Sequence, residues 1–180
     1  MRVLKAAGAN PNPRTSDSTP LHVATTRGWT NAMKELASWG VDVNAKDAIH
    51  DTPFLYAGAE GRNEILRHIL ATGKANLKDT NRYGGVALIP AAHHGHPETV
   101  RILLETDIDV DHVNRLGWTA LIEAIVLGDG GARHTACVEA LLDAGANPNL
   151  RDREGQTPLV LARLRGFKEM ERLIAAGGGQ

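Results

Sequence analysis

Two stretches of the chain carry apolar residues at positions i, i+1, i+4 and i+5, the pattern of one buried face of an α-helix. The first consists of Ile65, Leu66, Ile69 and Leu70, and the second of Cys137, Val138, Leu141 and Leu142. Gly73 and Gly145 follow them, and glycine readily adopts the left-handed conformation that ends a helix. The pattern therefore predicts short amphipathic helices that recur along the chain.

A six-residue phrase occurs five times and predicts a second kind of helix. Its copies span 19–24, 52–57, 86–91, 119–124 and 157–162, and their starts lie 33, 34, 33 and 38 residues apart. Three copies begin with Thr-Pro, in which the hydroxyl caps a helix and proline occupies the first helical position. Each unit of about 33 residues is thus expected to contain two helices and a loop that reverses the chain.

The period and the first copy, Thr-Pro-Leu-His-Val-Ala, resemble the ankyrin repeat. The resemblance implies an all-α fold, a solenoid of paired antiparallel helices with protruding β-turn or hairpin fingers. One unit cannot bury its apolar face alone, so we expect a single domain over 1–180. It would comprise a partial N-terminal repeat at 1–12 and repeats starting near residues 19, 52, 86, 119 and 157. The finger sequences also resemble small bacterial ankyrin-repeat proteins, which indicates a prokaryotic source.

Two departures from the repeat pattern predict local irregularities. Val86-Ala87 replaces Thr-Pro and Pro90 follows, so the first helix of the third repeat is expected to lose its cap and a first-turn hydrogen bond. The fourth repeat has five additional residues within the glycine-rich segment 128–135, which predicts a protruding loop. At the N-terminus Val3 and Leu4 would be the inward residues of the partial repeat. Homo-assembly through that end is an alternative to the expected monomer.

Composition and charge limit the classes of partner that the protein is expected to bind. Twenty basic and twenty-one acidic residues give a net charge of -1, which lacks the positive field typical of nucleic-acid or anionic-membrane binding. A signal peptide and a membrane span are not recognisable in the sequence. We therefore expect a cytoplasmic protein, or a periplasmic one if the N-terminus was trimmed.

The fingers supply the candidate binding residues. Arginine recurs at one finger position, and large aromatic side chains beside arginine are typical interface anchors. Trp118 is the favoured anchor, because the finger gives it no obvious core to enter. The competing interpretation is that charged residues are simply common at exposed finger tips. The predicted partner-binding residues are Ile49, Arg82, Tyr83, Arg115, Leu116, Trp118 and Arg153 on fingers, with Glu60, His93, His94 and Arg165 on first helices.

The histidines near position 93 are the densest group of candidate metal ligands. Adjacent helical residues such as His93 and His94 point about 100° apart, and zinc would need a closed shell of further ligands. Cys137 falls on an apolar helix face, where free cysteine acts as a small hydrophobe. A phosphate loop, a nucleophile elbow and a His-Glu-x-x-His phrase are not found. We expect no metal, cofactor or catalytic residue.

Two functions remain to be compared. The first is a non-enzymatic protein-protein interaction scaffold that binds a protein partner through its concave face and finger tips. The alternative is a metal-dependent regulator or enzyme that uses the region of His93 and His94.

Overall fold

The computed structural model describes residues 6–10, 12, 13 and 18–180, and this part of the chain is helical without β-strands. Each of five successive repeats contributes a first helix and a second helix. The first helices are α1 (Pro20–Thr26), α3 (Pro53–Ala59), α5 (Leu88–His93), α7 (Ala120–Val126) and α9 (Pro158–Arg165). The second helices are α2 (Thr30–Ser38), α4 (Asn63–Ala71), α6 (Pro97–Leu104), α8 (Ala132–Asp143) and α10 (Lys168–Ala176). The predicted all-α fold class is confirmed.

The part of the chain that precedes α1 leaves one prediction open. Val3 and Leu4 of the partial repeat at 1–12 lie outside the described residues, so their inward placement stays a prediction. Across the described residues, none of the helices combines the length and the apolar character that crossing a bilayer requires.

The core forms where equivalent helices of neighbouring repeats stack on one another. Each first helix packs on the first helices of the neighbouring repeats, and each second helix packs on the neighbouring second helices. The apolar stripes face one continuous cluster of buried side chains that runs from Leu21 and Met33 to Met170 and Ile174. A single repeat has no core of its own, so the stability of each repeat depends on its neighbours.

Threonine side chains start three of the first helices, two of them at the predicted Thr-Pro positions. The hydroxyls of Thr52, Thr119 and Thr157 accept hydrogen bonds from backbone amides three residues later, at 3.2, 3.3 and 3.4 Å. In α1 the Thr19 amide donates to Nδ1 of His22 at 3.3 Å, and Nε2 of that ring donates to the carbonyl of Asp51 at 3.0 Å. His22 thus links its own helix start to the next loop.

Four equivalent loops, which we call fingers 1 to 4, span residues 47–51, 81–85, 114–118 and 152–156. In finger 2 the Asn81 amide donates to the Gly85 carbonyl at 3.0 Å. The side-chain Oδ1 of Asn81 accepts from the amides of Tyr83 and Gly85 at 2.9 and 3.0 Å. Asp47, Asn114 and Asp152 make the same three bonds in the other fingers. Each finger is therefore a closed turn with a fixed backbone.

The third repeat lacks the side-chain cap, as predicted, but it does not lose a hydrogen bond at Pro90. Helix α5 has only six residues and begins without a side-chain cap. The expected loss of a hydrogen bond at Pro90 is wrong, because Pro90 is the third residue of α5. Amides in the first turn of a helix have no intrahelical partner to lose.

The glycine-rich segment 128–135 forms less of a loop than predicted. Residues 132–135 are the first turn of α8, which is therefore twelve residues long. The remaining loop is closed by the carboxylate of Asp129, which accepts from the Gly131 amide at 2.8 Å. Gly130 lies against the Phe167 ring, and a Cβ there would come within 2.4 Å of it. The segment is thus packed against the next repeat.

A cap exchange tests the weak start of α5. Val86 is buried at the position that threonine occupies in α3 and α7, so Val86→Thr keeps the shape and adds a side-chain acceptor for the Ile89 amide, which in the wild type donates to the Val86 carbonyl at 3.0 Å. We expect the free energy of unfolding to rise by about 0.5 to 1 kcal/mol, measured by urea denaturation. The matched control Thr119→Val removes a working cap and should lower it by about 1 kcal/mol. A loss of stability in Val86→Thr would contradict this account of α5.

Candidate protein-binding site

A cavity of about 430 Å³ lies between fingers 1 to 3 and the first helices α3, α5 and α7. Seven of the eleven predicted binding residues line it: Ile49, Glu60, Arg82, Tyr83, His93, His94 and Leu116. Arg115, Trp118, Arg153 and Arg165 do not line it. The fold thus brings predicted binding residues from three repeats to one cavity. Three of the four predicted binding arginines lie outside that cavity.

Apolar side chains form a row along the rim of this cavity. Ile49, Tyr83 and Leu116 occupy the third position of successive fingers, and they are 40%, 51% and 44% exposed. Because the fingers stack in register, these side chains are neighbours although they are more than 30 residues apart in sequence. A contiguous exposed apolar row beside a cavity is typical of an interaction surface.

Glu123 lies in the cavity wall and was not predicted from the sequence. Its side chain is only 5% exposed. Its Oε1 accepts from Nδ2 of Asn114 at 2.7 Å, and its Oε2 lies 3.6 Å from Nδ1 of His93. Burial raises the pKa of Glu123 to about 7, although the Asn114 bond lowers it. The available signal was a carboxylate at the phrase position that Val23 and Leu161 fill in the end repeats.

Asp51 gives the opposite wall a second desolvated carboxylate. Its Oδ1 is buried and has no hydrogen-bond partner in the described structure. Burial and the neighbouring Asp47 carboxylate raise the pKa of Asp51. The Tyr56 hydroxyl, which also lines the cavity, donates to Oδ2 of Asp47 at 2.9 Å. Tyr56 thereby fixes Asp47 and leaves Asp51 without a donor.

Two of the recurring finger arginines join neighbouring fingers, a role that the sequence did not reveal. Arg115 donates from Nη1 to the carbonyl of Arg82 at 3.0 Å, and Arg153 donates in the same way to the carbonyl of Arg115. Their side-chain stems lie over Gly84 and Gly117 of the preceding fingers, where a Cβ would come within 2.8 and 2.6 Å. We call these two contacts the finger clamps, because each joins one finger to the next.

Arg82 is at the same position but makes no such clamp. The residue equivalent to Gly84 in finger 1 is His50, which adopts a φ of +67°. Its Cβ occupies the place over which an arginine stem would lie. The Arg82 guanidinium instead stands over the Tyr83 ring, 4.7 Å from its centroid, at the rim of the cavity.

Trp118 and Arg165 differ most from the sequence-based expectation. Trp118 is partly buried and packs against the core, so the assumption that it has no core to enter is wrong. Arg165 donates to the carbonyls of Val126 and Gly128 at 2.8 Å each. It therefore caps the end of α7, where a cation also opposes the negative end of the helix dipole.

Two histidine side chains form hydrogen bonds between neighbouring repeats. Nδ1 of His94 donates to the Ala59 carbonyl at 2.7 Å, and Nε2 of His134 donates to the His93 carbonyl at 2.9 Å. Burial lowers the pKa of His93, and so do the neighbouring His94 and His134. Within residues 6–10, 12, 13 and 18–180, His, Cys, Asp and Glu side chains form no group of three able to hold a metal ion.

Comparison with known proteins identifies the stack. A family model described as ankyrin repeats (3 copies) matches residues 1–81 and 54–152. The chain belongs to the ankyrin-repeat family. It is 44% identical to the ankyrin repeat protein YahD of Escherichia coli (strain K12) over 147 residues, covering 81% of this chain and 73% of YahD.

Solved ankyrin-repeat structures have the same architecture. An ankyrin repeat domain from Acinetobacter baumannii AYE superposes with a TM-score of 0.94 at 50% identity, covering 99% of this chain and 93% of that one. The ankyrin repeat domain of Bcl-3, a member of the IkappaB protein family, gives a TM-score of 0.87 at 27% identity, covering 99% and 78%. Ankyrin repeats generally mediate protein-protein interaction. In this ankyrin stack, the fingers and first helices form the concave face.

Two glycine substitutions measure what a finger clamp contributes. Gly117 and Gly155 have similar φ values, +86° and +79°, so alanine at either costs about 1 to 2 kcal/mol of backbone strain. Only at Gly117 would the new methyl group meet the Arg153 stem, since Gly155 has open space around it. We expect Gly117→Ala to lose about 1 kcal/mol more than Gly155→Ala in urea unfolding, the value of a typical hydrogen bond. Equal losses would contradict the clamp.

Proposed function

We propose that this ankyrin-repeat protein is a non-enzymatic scaffold that binds a protein partner through its concave face and finger tips. The observation that carries the proposal is the apolar row of Ile49, Tyr83 and Leu116 beside the cavity. These three side chains expose apolar surface that is not part of the buried core. Such area is stabilised when a partner covers it.

The fixed backbone of the fingers supports this role. Each finger is closed by its own Asn or Asp side chain, and fingers 2, 3 and 4 are joined by the finger clamps. A surface that is ordered before binding loses little conformational entropy when the partner arrives. The same contacts leave Arg115 and Arg153 exposed on their outer sides, where their remaining N–H groups can steer an acidic surface.

Tyr83 replaces Trp118 as the proposed anchor of the interface. It lies at the centre of the apolar row, it is half exposed, and Arg82 stands over its ring. Tyrosine beside arginine is the combination that most often contributes binding energy at protein interfaces. Trp118 is committed to the core in part, so its remaining surface extends the contact without forming its centre.

The alternative function, a metal-dependent regulator or enzyme around His93 and His94, has less support. The His94 ring binds the Ala59 carbonyl, and the His93 ring has Glu123 as its one carboxylate neighbour. Nucleic acid is also a poor fit for this face, because three carboxylates line the cavity against the single guanidinium of Arg82. A protein partner remains the best match.

Truncation of the apolar row tests the proposal. With a partner captured from the source cell, we expect Tyr83→Ala to weaken binding by about 2 kcal/mol or more, as is usual at an interface anchor. The loss should lie mainly in a faster dissociation rate, since mutations within one interface act chiefly on that rate. Biolayer interferometry measures both rates.

Two control variants make the test specific. Leu164→Ala removes a side chain that is 70% exposed and lies outside the cavity, and it should leave binding unchanged. Leu121→Ala removes a buried side chain of α7 and should cost about 2 to 5 kcal/mol of stability, whereas Tyr83→Ala should leave the protein folded. If Tyr83→Ala binds like the wild type, the partner contacts another face.

A further inference from the structure

The cavity combines apolar walls with carboxylates that form no ion pair with a lysine or arginine of the described residues. Ile89 and Leu116 contribute apolar wall, and Asp51 and Glu123 contribute carboxylates from different repeats. The titratable neighbour of Glu123 is His93, at 3.6 Å. Buried carboxylates are normally paired, because an isolated charge is strongly disfavoured away from water.

The local geometry leaves one acceptor atom available to a ligand. In Glu123 the Asn114 amide occupies Oε1, while the 3.6 Å from Oε2 to His93 is longer than a hydrogen bond. Oδ1 of Asp51 also lacks a hydrogen bond, but it is buried, so Asp51 contributes charge to the cavity rather than a contact. A donor that enters the cavity would therefore find Oε2 of Glu123 with unused acceptor capacity.

The chain's own nearest cation, Arg82, lowers the pKa of Asp51 but forms no ion pair with Asp51 or Glu123. Arg82 stands over Tyr83 at the rim, because His50 blocks the position that the other finger arginines take. The net charge of the cavity lining is consequently negative, from Asp51, Glu60 and Glu123 against Arg82. Charge complementarity favours a cation from outside the chain.

We propose that the cavity receives a basic side chain, lysine or arginine, presented by the partner protein. Its aliphatic stem lies along Ile89 and Leu116, and its charged end meets Oε2 of Glu123. Long basic side chains have this division into an apolar stem and a charged head. The cavity volume of about 430 Å³ falls in the ordinary range of ligand pockets. The inference rests on the proposed protein-binding function and specifies what the partner inserts.

Such binding would be linked to the protonation of Glu123. Burial raises its pKa to about 7, so the carboxylate is charged above neutral pH and is neutralised below it. The other titratable groups facing the cavity lie on two helices and two fingers: His93 and His94 at the end of α5, Tyr56 in α3 with Glu60 just after it, Asp51 in finger 1, and Arg82 and Tyr83 in finger 2. Protonation of His93 would add positive charge beside Glu123 and would act in the same direction. Affinity for a basic side chain should therefore rise with pH.

Model peptides test the inference directly. We would titrate ¹⁵N-labelled protein with a capped Gly-Ala-Lys-Ala-Gly peptide and with its arginine, norleucine and glutamate analogues. Norleucine keeps the aliphatic stem of lysine without the ammonium group. We expect the lysine or arginine peptide to shift the amides of Gly85 and Leu127, and to bind about tenfold more tightly than norleucine, the effect of one charge-assisted hydrogen bond.

Glu123→Gln isolates the carboxylate, because glutamine keeps an oxygen that can accept from Asn114. It should remove most of the preference for lysine and leave norleucine binding unchanged. The matched control Glu154→Gln changes a finger residue outside the cavity and should have no effect. Between about pH 6 and pH 8 the wild-type affinity for lysine should rise roughly tenfold, following ionisation of Glu123, while Glu123→Gln should lose most of this rise.

The opposite results overturn the inference. Equal binding of norleucine and lysine, tighter binding of the glutamate peptide, or no cavity shift with any peptide would each show that the cavity does not select a cation. If Tyr83→Ala still weakens partner binding in that case, the proposed protein-binding function stands. If instead the lysine peptide binds and Tyr83→Ala leaves partner binding intact, the cation site stands and the proposed interface fails.

Discussion

The stack depends on how each repeat satisfies the free carbonyls at the end of the preceding first helix. An α-helix leaves its last four carbonyls without internal partners. The next repeat supplies the donors: Arg62 binds the Thr26 carbonyl at 3.3 Å, His94 that of Ala59, His134 that of His93, and Arg165 that of Val126. These bonds set the register between repeats at the rim of the apolar core. Stacking apolar faces could slide, whereas directional hydrogen bonds to the helix ends cannot.

The fingers extend the same principle to the concave face. A side chain of one finger donates to a backbone carbonyl of the finger before it, at Arg115 and again at Arg153. Glycine at the preceding tip gives the arginine stem room, so the sequence of one finger depends on the next. His50 interrupts this relation, and Arg82 is released toward Tyr83. The irregular finger is therefore one of the three that border the cavity.

The cavity contains two carboxylates whose burial lowers the stability of the fold. Asp51 and Glu123 are largely buried carboxylates that form no ion pair with a lysine or arginine of the described chain, and an apolar residue at either position would cost the fold less free energy. Val23 and Leu161 show that the Glu123 position accepts apolar side chains in the end repeats. Local conflicts of this kind concentrate at functional sites. The concave face therefore has charged side chains at positions where packing of the solenoid requires only a side chain of suitable volume.

The sequence alone determined the repeats, the helix pairs and most helix starts, because periodicity and Thr-Pro caps act over a few residues. Only the tertiary structure decided the roles of the finger residues. It made Arg115 and Arg153 clamps, turned Trp118 toward the core, shortened the loop of 128–135, and brought Glu123 to one cavity with Asp51. Each of these outcomes depends on contacts between residues about one repeat or more apart in sequence. The spacing along the chain shows which residues occupy equivalent positions in the repeats. Only the distances between repeats in the folded stack show which of these residues make contacts with a neighbouring repeat.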